Sequence, residues 1–112
     1  MTVIGFDDFL KVDVRVGTVR EATVNAGARK PSYRLRIDFG PELGAKTSSA
    51  QLADLYTPDQ LIGRQVAAVV NFPPRQVAKV VSEVLVLGFP DERGRVVLIG
   101  VDRPVPDGGR LF

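Results

Sequence analysis

The chain contains no cysteine and no histidine. Without cysteine there is no disulfide, no thiolate nucleophile and no cysteine-ligated zinc, a composition that suits a reducing compartment. Without histidine the Ser-His-Asp and Cys-His arrangements cannot form, nor can a His-built metal site. Catalysis would have to rest on carboxylates, Lys, Arg, Tyr or Ser/Thr. The sequence has no phosphate loop of the G-x-x-x-x-G-K type and no G-x-G-x-x-G fingerprint. No apolar run approaches the roughly 18 residues that cross a bilayer, so no membrane insertion is expected. Residues 1–10 carry Asp7 and Asp8 without a basic start, unlike a signal peptide. A cytoplasmic protein is the expectation, with no cofactor, no metal and no enzymatic activity. Asp13 and Glu83 are the one carboxylate pair to weigh for acid/base work. Without a recognisable pocket such residues are usually ion-pair partners of arginine.

What is present is a chain of 112 residues, 45% hydrophobic and 25% charged. That is enough for a single domain, residues 1–112, with a core modest enough to profit from a partner subunit. The net charge of +2 is unevenly spread. Residues 1–14 sum to −2, 15–36 to +5, 37–72 to −2, 73–82 to +2 and 83–112 to −1. Arginines outnumber lysines eleven to four, which suits bidentate contact with phosphate. A solvated face rich in arginine is the competing explanation.

Local patterns give the elements. Phe6, Phe9 and Leu10 stand at i, i+3 and i+4, one apolar helical turn too short to stand alone. Val12 to Val24 reads as a long strand, with Val12, Val14 and Val16 on one face and Gly17 marking a bulge or bend. Tyr33 to Phe39 alternates cleanly, Tyr33, Leu35, Ile37 and Phe39 against Arg34, Arg36 and Asp38. Gly40 to Gly44 is a turn, and Ala45 to Ser49 a short polar strand. Gln51 to Gly63 reads as helical in two pieces broken at Thr57-Pro58. Apolar strands follow at Val66 to Phe72, expected to be buried on both faces, at Ser82 to Phe89 and at Arg95 to Val101. Five or six strands with a helix between the third and fourth fit an all-β Greek-key barrel of the OB-fold kind. A small β-sandwich is the alternative.

Three segments carry candidate binding chemistry. Arg29 and Lys30 sit in the loop after the first strand, and Arg34 and Arg36 on the outward face of the second. That is the strand pair and loop with which OB-folds hold oligonucleotides. Pro73-Pro74 stiffens a connection that presents Arg75 and Lys79, with Ser82 opening the next strand. Lys46-Thr47-Ser48-Ser49-Ala50-Gln51 is polar where a core strand would be apolar. Its hydroxyls and amide either satisfy nearby backbone and cap the next helix, or bond a ligand.

These same residues resemble a known family. Asp13-Val14-Arg15-Val16-Gly17 is similar to the opening of tRNA-binding domains, including EMAP-II-like cytokines and extensions of aminoacyl-tRNA synthetases. Lys46 to Gln51, Val69-Val70-Asn71-Phe72-Pro73-Pro74-Arg75 and Ser82-Glu83-Val84-Leu85-Val86-Leu87-Gly88 resemble it as well, most nearly the CsaA family. Val84-Leu85 stands where many tRNA-binding domains have Gly-Met, which points to the CsaA branch. The resemblance implies a five-stranded OB-fold with a short N-terminal helix (1–11) and a C-terminal tail (102–112) that build a homodimer. It implies binding of tRNA or structured RNA, and chaperone-like affinity for unfolded or preprotein polypeptide. Carried over by position, Arg15, Lys46, Ser48, Asn71, Arg75, Lys79 and Ser82 would face the ligand, joined by Arg34 and Arg36 from the second strand and by Ser49 and Gln51 from the polar segment. Phe6, Phe9, Leu10, Leu111 and Phe112 would form the dimer interface.

Overall fold

The computed structural model describes all residues, 1–112. Strand β1 (Val14–Val24) is followed by β2 (Tyr33–Asp38) and β3 (Ala45–Ala50), then by β4 (Gln65–Val69) and β7 (Leu85–Val86). These five form one antiparallel sheet in the order β3-β2-β1-β4-β7. The outer strands meet through residues 82–84. Glu83 N donates to Thr47 O at 2.8 Å, Ser49 N to the Ser82 hydroxyl at 3.0 Å, and the Ser48 hydroxyl to Val84 O at 3.1 Å. The sheet therefore rolls into a nearly closed barrel, and the sandwich alternative is excluded.

The barrel forms because β2 alternates without a fault: Tyr33, Leu35 and Ile37 are buried while Arg34, Arg36 and Asp38 are partly exposed. With Phe39, Val19, Leu52, Leu61, Val66 and Val84 they make the core. Strand β1 does not bulge at the expected Gly17. Its register slips between Val19 and Glu21, at Arg20. Gly17 answers a different need, since a side-chain carbon there would lie 2.7 Å from both Ile37 and Phe39. The glycine lets the end of β2 cross β1 closely.

The Val14/Val16 stripe also differs from a simple core face. Val14 pairs with Val69 and Val16 with Ala67, whereas the core members Val66 and Ala68 pair with Gly17 and Arg15. The valines thus line the outer side of the barrel. Strand β4 is apolar on both faces because one face meets the core and the other this stripe.

Several boundaries are corrected. Residues 40–43 form a helical turn, α2 (Gly40–Leu43), which begins at Gly40 with φ 87°. Only α3 (Pro58–Leu61) of the expected pair of helices between β3 and β4 exists. Gln51 to Tyr56 is a series of turns, pinned by Leu52 and by one bond from Tyr56 N to Leu52 O. The proline connection leads into a hairpin, β5 (Arg75–Val77) and β6 (Val80–Ser82). The run from Ser82 to Phe89 divides among β6, β7 and a second hairpin of β8 (Gly88–Pro90) with β9 (Val96–Leu98). The N-terminal turn is α1 (Phe6–Leu10), with Phe6 and Phe9 rings 5.9 Å apart and no buried residue.

The C-terminal tail completes β1. Where β2 leaves the strand's first half unpaired, Gly108 N bonds Val16 O, Val16 N bonds Gly109 O and Leu111 N bonds Val14 O. Gln65 clips the tail through Val105 and Asp107, and the Thr18 hydroxyl bonds Asp107 at 2.7 Å.

Candidate nucleic-acid interface

The outer face of β1, β2 and β3 is a ladder of matched rows. Thr23, Arg34 and Ser49 form one row, and Glu21, Arg36 and Thr47 the next. Period-two alternation forces both arginines outward because their neighbours fill the core. Arg36 donates to the Thr47 hydroxyl at 2.9 Å and lies 4.0 Å from Glu83. Arg34 has no carboxylate partner, so its fork is open to an external anion.

The ladder continues across the barrel seam. Ser49 N bonds the Ser82 hydroxyl, and Ser82 stands opposite Arg75 in the β5–β6 hairpin. Lys79 lies in the two-residue turn of that hairpin, after Ala78 at φ 52°. The loop carrying Arg29 and Lys30 is tied to the same hairpin by Asn25. Its amide donates to Val77 O at 3.0 Å and to the Ser49 hydroxyl at 2.9 Å, in a residue only 5% exposed. Two cation-bearing loops and an arginine-bearing strand thus share one side of the barrel. Sequence reading missed Asn25. It looked like one more turn residue, and nothing local announces a bond made 52 positions away.

Beside this face opens a cleft of about 520 Å³. Leu52, Val84, Val86 and Val96 supply apolar surface, and Ser49, Gln51, Ser82 and Arg75 bring polar groups. Phe72 and Pro73 also line it. That mixture, an apolar wall with a few polar groups, is the usual make-up of a binding site.

The other predicted residues lie elsewhere. Ser48 is 1% exposed inside the barrel, its hydroxyl already donated to Val84 O, so no external ligand reaches it. Lys46 pairs with Ile37 and so falls on the inner parity of β3, half-exposed near the strand's start. Asn71 is spent as a clamp: its amide accepts from Asp13 N and donates to Lys11 O. Arg15 forks onto Asp13 at 2.6 and 3.2 Å and donates to Gly108 O at 3.0 Å. The Arg15 hydrogen bond holds the Asp13 carboxyl below the usual carboxylate range against the opposing effect of burial, helped by the charges of Arg15 and Arg110. Arg15 lines a second cleft, about 430 Å³, together with Val14, Val16, Ala67, Leu111 and Phe112. The expected ligand residues therefore divide. Arg34, Arg36, Ser49, Gln51, Arg75, Lys79 and Ser82 share one region, while Arg15 and Asn71 secure the termini.

A nearly closed five-stranded antiparallel barrel with a short helix between β3 and β4 defines an OB-type fold. Residues 14–110 match the family model described as "Putative tRNA binding domain". The solved structure of the chaperone CsaA from Bacillus anthracis str. Ames is 50% identical, with a TM-score of 0.92 covering 99% of this chain and all of that one. CsaA from Picrophilus torridus is 44% identical at a TM-score of 0.91, over 98% of this chain and all of that one. Methionine-tRNA ligase of Porphyromonas gingivalis (strain ATCC 33277) is 39% identical over 108 residues, 96% of this chain. The chain spans only about 15% of that ligase's length. The protein belongs to the tRNA-binding domain family, alongside its CsaA members.

Proposed function

We propose that this protein binds tRNA or a similarly structured RNA across the outer face of β2 and β3, as a cytoplasmic homodimer without catalytic activity. The observation that carries the reading is the contiguity of Arg34, Arg75, Lys79 and the Arg29/Lys30 loop on one side of the barrel. The family match and the relationship to a tRNA ligase support the same ligand. Phosphates neutralised by these cations release counterions, so affinity falls steeply with salt. Filter binding of tRNA between about 50 and about 200 mM salt is expected to lose roughly a hundredfold in affinity if some four phosphates are held. Replacing Arg34, Arg75 and Lys79 with alanine should flatten that slope and leave the melting temperature unchanged. A salt-independent interaction would overturn the reading.

The proposed homodimer would use a second surface, at the chain's two ends. Phe6, Leu10 and Leu111 are exposed, and the Arg110 guanidinium donates to Leu10 O at 2.7 Å, which brings α1 and the tail together. Arg110, Leu111 and Phe112 also line the second cleft, and pairing across a two-fold axis would cover these exposed apolar residues.

A second reading is favoured by the apolar wall of the larger cleft and by the similarity to the CsaA chaperones. Unfolded or preprotein polypeptide would lay nonpolar side chains there, making the protein an export chaperone with little RNA binding. It predicts ATP-independent suppression of client aggregation with little response to salt.

A further inference from the structure

We infer that the larger cleft holds one unstacked base of a single-stranded RNA segment, with Phe72 as the stacking surface, Gln51 facing the base edge and Arg75 the adjoining phosphate. The inference rests on the RNA-binding reading and specifies what part of the RNA enters.

The basic ladder alone would serve any duplex, because an A-form helix offers mainly phosphates and a shallow groove to a convex surface. A concave space of about 520 Å³ opening beside that ladder has no use for a duplex. It suits a base turned out of its stack. Its wall is apolar through Leu52, Val84 and Val86, as the faces of a base require. Phe72 is 48% exposed, a large aromatic surface left uncovered on a cleft-lining residue. Aromatic rings with one free face are the recurring platforms for single-stranded bases. The Gln51 side chain lines the same space and makes no hydrogen bond within the protein, so its donor and acceptor are both available. The Ser82 hydroxyl, by contrast, already accepts from Ser49 N and donates to Val84 O. Arg75 supplies a cation at the cleft and pairs with no carboxylate. Glu83, the one acid in the lining, is engaged by Thr47 N at 2.9 Å and faces Arg36. An extended polypeptide could use the apolar wall and the amide, but the uncovered Phe72 ring with an unpaired arginine beside it matches the flat face of a base and its phosphate, so the base is the better occupant.

The test compares two RNA hairpins of identical stem, one blunt and one ending in a single-stranded adenosine tail that carries an aminopurine fluorophore. The tailed hairpin should bind about tenfold tighter by anisotropy, with quenching of the fluorophore. Phe72→Leu keeps apolar area but loses the ring, and should abolish both the preference and the quenching. Phe72→Tyr should retain them. Because Phe72 is half exposed, both variants should melt as the parent does, which checks that the fold is intact. Equal binding of the two hairpins would overturn the inference and leave RNA binding standing. Binding of neither would remove the RNA reading itself. A preference that survives Phe72→Leu would overturn the stacking role. An apolar peptide that binds the Phe72→Leu variant as well as the parent, with no preference for the tailed hairpin, would assign the cleft to polypeptide.

Discussion

At the scale of single residues, the D-x-R-V-G run is the clearest instance of a motif whose work is structural. Arg15 reads as a ligand residue from its place in the motif, and Asp13 as a carboxylate to weigh for acid/base work. Two residues apart on an extended chain they reach the same side, and the guanidinium closes on the carboxylate while reaching Gly108 O. Each side chain is about a fifth exposed, so the pair is screened only in part. Asp13 has a depressed pKa in the folded state. Its stabilising contribution is therefore complete above the unfolded-state value near about 4 and is lost as the pH falls through the lower folded value. Asp13→Asn should cost about 1 kcal/mol at neutral pH. The gap from the parent should close on acidification below about pH 4, as followed by urea unfolding across pH. Burial was the information the sequence withheld here. Ser48 and Ser49 are adjacent hydroxyls of one kind, and only the strand's parity sends one into the core and the other to the surface.

At the scale of elements, strands with strict alternation were legible and elements defined by partners were not. Tyr33 to Asp38 can be read directly, because each apolar side chain has a polar neighbour. The β5–β6 hairpin could not be. Its strands are three residues each, and Arg75 to Ser82 shows no period long enough to separate strand from loop. Gln51 to Tyr56 misled in the other direction, since leucines and polar residues imitate a helical stripe although the segment is held by Leu52 in the core. Asn25 joins two such elements. Asn25→Ala leaves the Val77 carbonyl without that donor and should destabilise by about 1 to 2 kcal/mol in thermal or chemical melts. It should also weaken RNA binding at constant charge, because the loop bearing Arg29 and Lys30 would no longer be tied to the hairpin bearing Arg75 and Lys79. An unchanged RNA affinity in a destabilised protein would show that the two loops act independently.

At the scale of the whole molecule, the barrel segregates its two kinds of surface. Cations and the larger cleft lie around β2, β3 and the first hairpin. The exposed apolar residues of α1 and the tail lie by the first half of β1, where Val14 and Val16 turn away from the core. Under the proposed function, that separation would let one side serve assembly while the other stays open to ligand. Leu111→Asp puts a charge into the apolar side and should convert a dimer into a monomer in light scattering, with RNA affinity falling through lost avidity. The barrel was legible from strand count and order. The division of sides was not, because it depends on which half of β1 is paired by β2 and which by the tail.

That arrangement has a kinetic consequence. The bond from Arg15 to Gly108 spans 93 positions, so β1 is finished only when the two ends of the chain meet. Joining ends so far apart carries an entropic cost before any bond offsets it, and distant pairings slow folding. Removing residues 108–112 should make the protein less stable, yet the shortened chain should refold no more slowly than the parent in stopped-flow experiments. The lost stability would surface as faster unfolding, the mark of contacts that form after the barrel has already closed.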